Sequence, residues 1–392
     1  MFVRPIAVIL LAAAAACSGS SSEGSPAPAP TPAPAAASTR PTPAPAPTGQ
    51  DDPRLARGAA LHQKYCALCH GPEGRGYAAD NAPSLVTSTF LASADDSFFT
   101  RSIELGRPGT AMAGYGTDVG GPLGDRDIAD LVHWYRSHGP GLRPLPPVAG
   151  GDAARGAQLY AAACQTCHGD QANRGTAPHL ANPTFLALAS PEYIRYAIAS
   201  GRPGTPMEAF AGKLTDAQID DLVAFVRSWA KPPPAPPTPP PTSAAAAPKG
   251  EAVVLNPKGK PPTFTLRDDR FVPAAEVAKA LKDKRRMIII DARAPSDWLR
   301  ERIPGALSIP YYEPAGLSRI PPDDGTWVLA YCACPHHASG VIVDELRKRG
   351  YKHTAVIDEG ILFWKKQGYP VEGDPSAAPD PHAGHDHSGH GH

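Results

Sequence analysis

The chain has 392 residues, and its 38 basic and 38 acidic side chains give a formal net charge of zero. A chain of this length predicts two or three domains, and the neutral balance excludes the basic footprint of a nucleic-acid-binding protein. Beyond the N-terminus, no apolar run approaches the roughly 20 residues that a membrane-spanning helix needs. The 48 prolines are concentrated in blocks, which indicates linkers between domains.

The N-terminal segment predicts export. Arg4 precedes an apolar stretch, residues 6–16, that is too short to cross a bilayer and is followed by small residues, which is typical of a secretory signal. Residues 14–17 resemble the lipobox of bacterial lipoproteins, which implies a signal peptide over residues 1–17 and a lipidated Cys17. Ordinary cleavage after an Ala-x-Ala pattern is the alternative. We expect an exported, periplasm-facing protein, held at a membrane if Cys17 carries a lipid anchor.

The next segment, residues 18–51, is predicted to be a disordered tether. It consists mainly of Ser, Ala, Pro and Thr and lacks the large apolar side chains that a core requires. Alternating Pro and Ala favours an extended polyproline II conformation. Such a tether would hold the following domain away from a membrane surface.

One short motif occurs twice, at residues 66–70 and 164–168. Each copy has two cysteines separated by two residues and followed by a histidine, which is the attachment sequence of c-type haem. Both sulfurs can reach the vinyl groups of one porphyrin, and the histidine then lies under the iron. A redox pair or half a zinc site is the alternative. We expect two covalently bound haem c groups, attached through Cys66, Cys69, Cys164 and Cys167 with His70 and His168 as proximal ligands.

The repeat also contains a candidate for the sixth iron ligand. A Gly-Arg-Pro-Gly-Thr stretch occurs once in each repeat and is followed by Met112 in the first and Met207 in the second. Of the other two methionines, Met1 belongs to the signal and Met287 begins an apolar strand. Met112 and Met207 are therefore the predicted axial ligands. Methionine as a core filler is the alternative.

Helices frame each repeat. Glycines 58 and 156 fall inside the leading helices, where glycine is unfavourable, and this indicates a close approach of the closing helices near Trp134 and Phe225. The arginines of the Gly-Arg-Pro-Gly-Thr stretches, Arg107 and Arg202, are either donors to haem propionates or solvated surface side chains. Apolar residues at helical spacing predict the leading helices at residues 55–65 and 153–163 and the closing helices at residues 127–137 and 216–230.

Both repeats resemble class I cytochrome c domains, over residues 52–139 and 150–230. The resemblance implies two all-α domains that exchange electrons with redox partner proteins. It also implies that the carbonyls of Pro83 and Pro178 accept hydrogen bonds from the proximal histidines and orient their rings. The short bridge of residues 139–151 favours packing of the two domains, which would allow electron transfer between the haems.

A second Pro/Ala-rich linker is predicted over residues 231–261, and a different pattern follows it. Strands that alternate with helices predict an α/β domain with a parallel sheet. Cys332 comes directly after a strand and before a helix, which is where nucleophiles gather in such sheets. The predicted helices are residues 271–282 and 339–349, and the predicted strands are residues 287–291, 327–331 and 354–357.

Residues 262–373 resemble a rhodanese-like domain. An Asp-Ala-Arg motif at residues 291–293, an Ile-Pro-Gly-Ala motif at residues 303–306 and then the Cys332 loop come in the order of that family. The resemblance implies that Cys332 accepts a sulfane sulfur from a small sulfur compound as a persulfide, in sulfur transfer or sulfur oxidation. The loop carries His336 and His337 where the family has arginines, Arg302 replaces a usual histidine, and histidine is the weaker cation near neutral pH.

The roles of Cys334 and of the C-terminal tail stay open. Cys334 could resolve a persulfide on Cys332, form a strained disulfide with it, bind a metal with the neighbouring histidines, or be an inert thiol. The His-rich tail, residues 374–392, is predicted to be disordered and solvated, although its composition also permits loose metal binding.

The sequence favours a dihaem electron carrier fused to a sulfur-handling module. In its sharper form, oxidation of a Cys332 persulfide supplies one electron to each haem. Moving a sulfane sulfur is itself redox-neutral, so the fusion alone does not establish this coupling. The alternatives are a catalytically silent C-terminal domain that docks a partner or senses redox state, and a lipoprotein that delivers metal through its histidine tail.

Overall fold

A computed structural model describes residues 52–231, 253–333 and 336–374 of the chain. The predicted signal peptide with Cys17, the tether, most of the second linker, Cys334 and nearly all of the His-rich tail lie outside the described residues. Within them, no helix is both long enough and apolar enough to cross a membrane.

The first half of the described chain is helical, and its helices repeat in the same order. Asp52 caps the first helix by accepting a hydrogen bond from the Arg54 amide, and Asp152 caps its counterpart in the second repeat in the same way. The first repeat contains α1 (Pro53–Tyr65), α2 (Ala67–His70), α3 (Ser88–Ser93), α4 (Asp96–Leu105) and α5 (Asp125–Arg136). The second contains α6 (Ala153–Ala163), α7 (Gln165–His168), α8 (Pro183–Leu188), α9 (Pro191–Ser200) and α10 (Asp216–Ser228).

In each repeat the leading and closing helices cross at a glycine. A Cβ placed on Gly58 would lie 2.6 Å from the Cβ of Trp134 and closer still to a carbonyl oxygen of α5. A Cβ on Gly156 would lie 2.9 Å from the Cβ of Phe225. Both distances are shorter than van der Waals contact, so only glycine allows these crossings. The predicted reason for the two helical glycines is confirmed.

The two cytochrome-like repeats pack against each other, as the short bridge predicted. The rings of Phe98 and Tyr193 stack with centroids 4.9 Å apart, one ring from each repeat. The Thr89 hydroxyl donates to the Gly201 carbonyl at 2.7 Å, and the Asn182 amide donates to the Pro108 carbonyl at 2.9 Å. One hydrophobic core therefore runs through both repeats.

The C-terminal region forms the predicted α/β domain. Its sheet, five-stranded within the described residues, is parallel throughout and has the strand order β1-β5-β4-β2-β3. Both faces are covered, so the central strands are apolar and fully buried. The strands are β1 (Phe271–Val272), β2 (Met287–Asp291), β3 (Leu307–Ser308), β4 (Trp327–Tyr331) and β5 (Thr354–Ile357). The helices are α11 (Ala274–Lys282), α12 (Pro295–Arg300), α13 (His337–Lys348) and α14 (Gly360–Lys366).

Two segments differ from the sequence predictions. Phe271 and Val272 were predicted as the start of a helix, but they pair with β5 as a strand. Pro273 explains the change, because the residue before a proline favours an extended backbone and the helix then begins after it. Leu255, inside the range predicted as a linker, exchanges backbone hydrogen bonds with Met287.

The crossing of α1 and α5 supplies a stability test. We expect Gly58→Ala to lower the free energy of unfolding of the cytochrome region by roughly 1–3 kcal/mol, because the new methyl group overpacks the crossing. Gly141→Ala is the matched control, since a Cβ there meets no atom within 4 Å; it should change stability by less than about 0.5 kcal/mol. Urea denaturation followed by circular dichroism measures both. Equal effects would contradict the role of the crossing.

Candidate functional site

Each Cys-x-x-Cys-His motif forms a single helical turn at the end of a leading helix. In the first repeat the His70 amide donates to the Cys66 carbonyl at 2.9 Å, and in the second the His168 amide donates to the Cys164 carbonyl at 3.0 Å. This turn brings the two cysteines of a motif to one side of the backbone. The spacing is the one that two thioether bonds to a single porphyrin require.

The rings of both motif histidines are fixed by a proline carbonyl. Nδ1 of His70 lies 2.8 Å from the Pro83 oxygen, and Nδ1 of His168 lies 2.8 Å from the Pro178 oxygen. These contacts confirm the predicted hydrogen bonds. A carbonyl oxygen only accepts, so Nδ1 carries the proton and Nε2 remains available to a metal. Burial lowers the pKa of His70 to about 4, which keeps its ring neutral.

The motif cysteines do not resemble an activated redox pair. Burial raises the pKa of Cys66 to about 11 and that of Cys69 to about 12, and it also raises the pKa of Cys164 to about 11. Redox-active Cys-x-x-Cys pairs have a lowered thiol pKa, because the thiolate is the reactive form. These values therefore favour haem attachment over thiol–disulfide exchange.

Both candidate axial methionines occupy the same tight turn. The Arg107 amide donates to the Met112 carbonyl at 2.7 Å, and the Arg202 amide donates to the Met207 carbonyl at 2.7 Å. A threonine hydroxyl closes each turn by accepting a hydrogen bond from the methionine amide, at 3.1 and 3.2 Å. The hydrogen bonds are thus duplicated in the two repeats, as expected if both turns hold a ligand in place.

The arginines of these turns are not solvated surface side chains. Arg202 lies over Phe90 of the first repeat and Tyr193 of its own. Arg107 lies over Phe98, whose ring stacks on Tyr193, so both arginines lie at the contact between the repeats. Burial lowers the pKa of Arg107 to about 10. Among the described residues no ion pair joins either arginine to a carboxylate. A partly buried guanidinium without a carboxylate partner fits a haem propionate, so the surroundings suit the haem as well as the motifs do.

Cys332 lies at the carboxyl end of β4 and is 3% exposed. Its sulfur is 3.3 Å from the buried hydroxyl of Ser339 on α13. The Ile361 amide donates to the Cys332 carbonyl at 3.0 Å, which fixes the backbone on the other side. Gly360 has a φ of 69°, and a Cβ there would lie 2.8 Å from the same carbonyl oxygen, so this close approach requires glycine. The backbone at Cys332 is therefore held from both sides.

Several cations around this loop already have acidic partners. Nε2 of His336 lies 2.6 Å from Asp358, and the ring packs on Phe271. The Arg302 guanidinium donates to Glu372 at 2.9 Å and stacks on a tryptophan. The Asp-Ala-Arg motif is likewise internal, since its arginine pairs with its own aspartate at 2.7 Å. His337, at the start of α13, is exposed.

The sheet edge that carries Cys332 faces the first haem motif. The amide of Ala292, at the end of β2, donates to the Tyr331 carbonyl at 2.9 Å, and the Tyr311 amide donates to the Ala292 carbonyl at 3.0 Å. The Tyr311 hydroxyl then donates to the carbonyl of Tyr65 at 2.6 Å. Tyr65 directly precedes the first motif. The end of the sheet that carries Cys332 and the turn of the first Cys-x-x-Cys-His motif are therefore in contact.

The sequence did not predict this contact. It depends on four tyrosines that belong to neither haem motif and to neither family motif of the C-terminal domain. The only sign of it in the sequence was a difference between the repeats. Alignment of the repeats pairs Tyr65 with Ala163 and Tyr115 with Phe210. The four are Tyr65, Tyr115, Tyr311 and Tyr312.

Comparison with known families agrees with this architecture. The family model for cytochrome c matches residues 55–139. The model for subunit III of cbb3-type cytochrome c oxidase matches residues 151–226. The model for the rhodanese-like domain matches residues 274–367. The protein is thus a c-type cytochrome region joined to a rhodanese-like α/β domain.

Two curated relatives match the cytochrome region. The FixP subunit of a cbb3-type oxidase from Bradyrhizobium sp. (strain ORS 278) is 29% identical over 194 residues, which covers 46% of this chain and 64% of that protein. Cytochrome c6 of Thermosynechococcus vestitus is 32% identical over 97 residues, which covers 22% of this chain and 81% of that protein. The chain therefore belongs to the cytochrome c family, and it spans slightly less than two thirds of the oxidase subunit.

Among solved structures, a rhodanese-related protein of Thermoplasma volcanium is similar to part of this chain. The two are 25% identical with a TM-score of 0.23, over 26% of this chain and 97% of the other.

The two attachment motifs make independent predictions about haem content. We expect the mature protein to keep two haems through denaturation and acid–acetone extraction, as measured by intact mass and iron content. Replacing Cys66 and Cys69 together by alanine should remove one haem and leave the other, and replacing Cys164 and Cys167 should do the same. Cys332→Ala is the control and should retain both. Loss of no haem in either double variant would contradict the assignment.

Proposed function

We propose that this protein is an exported dihaem electron-transfer protein whose rhodanese-like domain binds sulfane sulfur on Cys332 and delivers electrons from sulfur oxidation to the haems. The observation that carries the proposal is the contact between Tyr311, on the active-site edge of the sheet, and Tyr65, next to the first haem motif. A sulfur site and an electron-accepting site that touch within one chain can be coupled.

The residues that would hold the haems are those of the two motifs and turns. Cys66 and Cys69, and likewise Cys164 and Cys167, would form the thioether bonds. His70 and His168 would each supply one iron ligand, and Met112 and Met207 would supply the other. When bound, each haem supplies a one-electron acceptor, and methionine ligation raises its reduction potential relative to two histidines. Arg107 and Arg202 would neutralise propionates between the repeats.

The chemistry proposed at Cys332 has two stages. In the first, the Cys332 thiolate attacks the terminal sulfur of a hydropolysulfide. The bond between that sulfur and the rest of the polysulfide breaks, the shortened polysulfide leaves with the electron pair, and Cys332–S–SH forms with no net oxidation. A low-molecular-weight thiol, R–SH, then combines with it to give the trisulfide Cys332–S–S–S–R, and two protons and two electrons are released. One new sulfur–sulfur bond forms and two S–H bonds break. Two one-electron acceptors are needed, which matches the two haem sites.

The surroundings of Cys332 favour a small sulfur compound as substrate. Its side chain is buried and lies beside Ser339, so a protein donor could not present its own cysteine there without rearrangement. The pairing of His336 with Asp358 leaves less positive charge for an anion. A sulfur donor with less negative charge than the thiosulfate dianion, such as a singly charged hydropolysulfide or a hydropersulfide, therefore suits the site better.

We also infer the surroundings in which the protein works. Haem c attachment and the N-terminal signal support export to a periplasm-facing location, and Cys17 would provide a lipid anchor to the membrane. Relatives that are named as oxidase subunits and as cytochrome c6 support redox proteins as the electron donor and acceptor.

Haem reduction tests the coupling directly. When polysulfide and a low-molecular-weight thiol are added anaerobically to the oxidised protein, we expect Cys332→Ala to reduce its haems at least roughly 10-fold more slowly than wild type, because a covalent nucleophile is lost. Stopped-flow absorbance measures the rate. Ascorbate reduction, which does not use Cys332, should be equal in both proteins. Equal rates with polysulfide would refute the coupling.

One observation favours a second function, in which the C-terminal domain is a silent docking or redox-sensing module. Arg302 and His336 are both engaged by carboxylates and do not serve as substrate-binding cations. Sulfurtransferase assays with thiosulfate, polysulfide and a persulfide donor distinguish the two functions, because a silent module is inactive with every donor. Metal delivery by the His-rich tail concerns residues outside the described part of the chain; removing residues 375–392 and measuring metal binding tests it.

A further inference from the structure

We propose that the C-terminal domain is docked permanently on the first cytochrome domain, and that the first haem site rather than the second receives the electrons from Cys332. The docking stands on the contacts alone, whereas the direction of electron flow rests on the proposed function. Four tyrosines, Tyr65, Tyr115, Tyr311 and Tyr312, form the centre of the contact, which we call the tyrosine contact.

Tyr312 enters the core of the first cytochrome domain. Its ring lies 4.7 Å from that of Tyr65 in an edge-to-face arrangement, and 6.3 Å from that of Tyr115. Aromatic pairs at such distances are favourable beyond the surface that they bury. The Tyr312 hydroxyl is buried and makes no hydrogen bond within the described residues, so the ring and not the hydroxyl holds the domains together.

Polar contacts fix the orientation of the docked domain. The Ser296 hydroxyl, which is itself buried, donates to the Gly114 carbonyl at 2.5 Å. Gly120 lies against the side chain of Leu299. The turn around Gly114 comes directly after the candidate ligand Met112. The C-terminal domain thus touches both parts of the first haem site, the attachment turn through Tyr65 and the methionine turn through Gly114.

The second cytochrome domain lacks the side chains for such a contact. Ala163 corresponds to Tyr65, since each directly precedes its Cys-x-x-Cys-His motif, and Phe210 corresponds to Tyr115, three residues after the methionine. The backbone is conserved at the second pair, because the Tyr115 amide and the Phe210 amide donate to equivalent carbonyls of the preceding helix at 2.9 and 3.1 Å. The repeats therefore differ in the side chains that meet the C-terminal domain.

Exposure follows the same division. Tyr65 and Gly114 are buried in the first repeat, whereas the corresponding Ala163 and Ala209 of the second repeat are exposed. The first haem site is covered by the docked domain, and the second is open. Electrons from the trisulfide step would reach the first domain one at a time, and each would move on through the shared core near Phe98 and Tyr193 to the second domain. An external one-electron acceptor would then meet the second haem site.

Cleavage of the intact haem-loaded protein tests the docking. A site for a specific protease is inserted within residues 243–247, and the cleaved protein is analysed by size-exclusion chromatography. We expect the two pieces to co-elute. Tyr115→Ala should separate them, whereas Phe210→Ala, the equivalent change in the second repeat, should leave them together. Haem absorbance of each variant confirms that the cytochrome domains remain folded.

Two substitutions in the C-terminal domain control for the possibility that the Tyr115 variant separates only because it is misfolded. Tyr312→Ala should also separate the pieces, while Tyr312→Phe, which keeps the ring and removes the unpaired hydroxyl, should not. Separation of the wild-type pieces, co-elution of both alanine variants, or separation by Phe210→Ala would each overturn the proposal.

The same variants distinguish a failure of the docking from a failure of the proposed sulfur chemistry. Without cleavage, Tyr115→Ala should slow haem reduction by polysulfide and thiol at least 10-fold, and Phe210→Ala should not. If the wild-type pieces co-elute but Cys332→Ala reduces its haems at the wild-type rate, the docking stands and the sulfur chemistry fails. If the pieces separate while Cys332→Ala is slow, the chemistry stands and the fixed docking fails.

Discussion

The hydrogen bond from the Tyr311 hydroxyl to the Tyr65 carbonyl joins the rhodanese-like domain to the first cytochrome domain. Tyr311 and Cys332 both lie at the carboxyl-terminal end of the parallel sheet. Tyr65 is the residue before the first haem-attachment turn. Together with the packing of Tyr312 on Tyr65 and the hydrogen bond from Ser296 to Gly114, this contact attaches the rhodanese-like domain directly to the first cytochrome domain. Cys332 and Cys69 are thereby brought close together. The pKa of Cys69 is raised first by burial, then by Asp80, and then by Cys332.

The two cytochrome domains show which features a haem site keeps and which it can change. Both retain the histidine-to-proline hydrogen bond, the hydrogen-bonded methionine turn and the glycine at the crossing of the framing helices. These features orient the motif histidine, fix the methionine turn and allow close helix packing, and both repeats share them. The surface around the motif is under no such constraint. There the first repeat presents tyrosines to the C-terminal domain, and the second presents Ala163 and an exposed Cys167.

Local sequence patterns predicted most of the fold and much of the site. Helical periodicity located the framing helices, the apolar run at Met287 located a central strand, and Gly58 indicated a helix crossing, because each depends on neighbours in the chain. Phe271 was misassigned to a helix because its strand exists only through pairing with β5. The burial of Arg107 was left open because it depends on the packing of two domains. The juxtaposition of Cys332 with the first motif could not be predicted, since no local pattern encodes a contact between distant segments.

The most direct test of the central claim is the magnetic effect of the haem iron on the tyrosines of the C-terminal domain. Tyrosine rings labelled with ¹³C are observed by NMR in the ferric, paramagnetic protein and in the ferrous, diamagnetic protein, and Tyr311→Phe and Tyr312→Phe assign the signals. If the C-terminal domain is docked over the first haem site, the signals of Tyr311 and Tyr312 shift or broaden on oxidation, while that of Tyr351, on the far side of the sheet domain, changes little. Signals of Tyr311 and Tyr312 that are the same in both states would contradict the account.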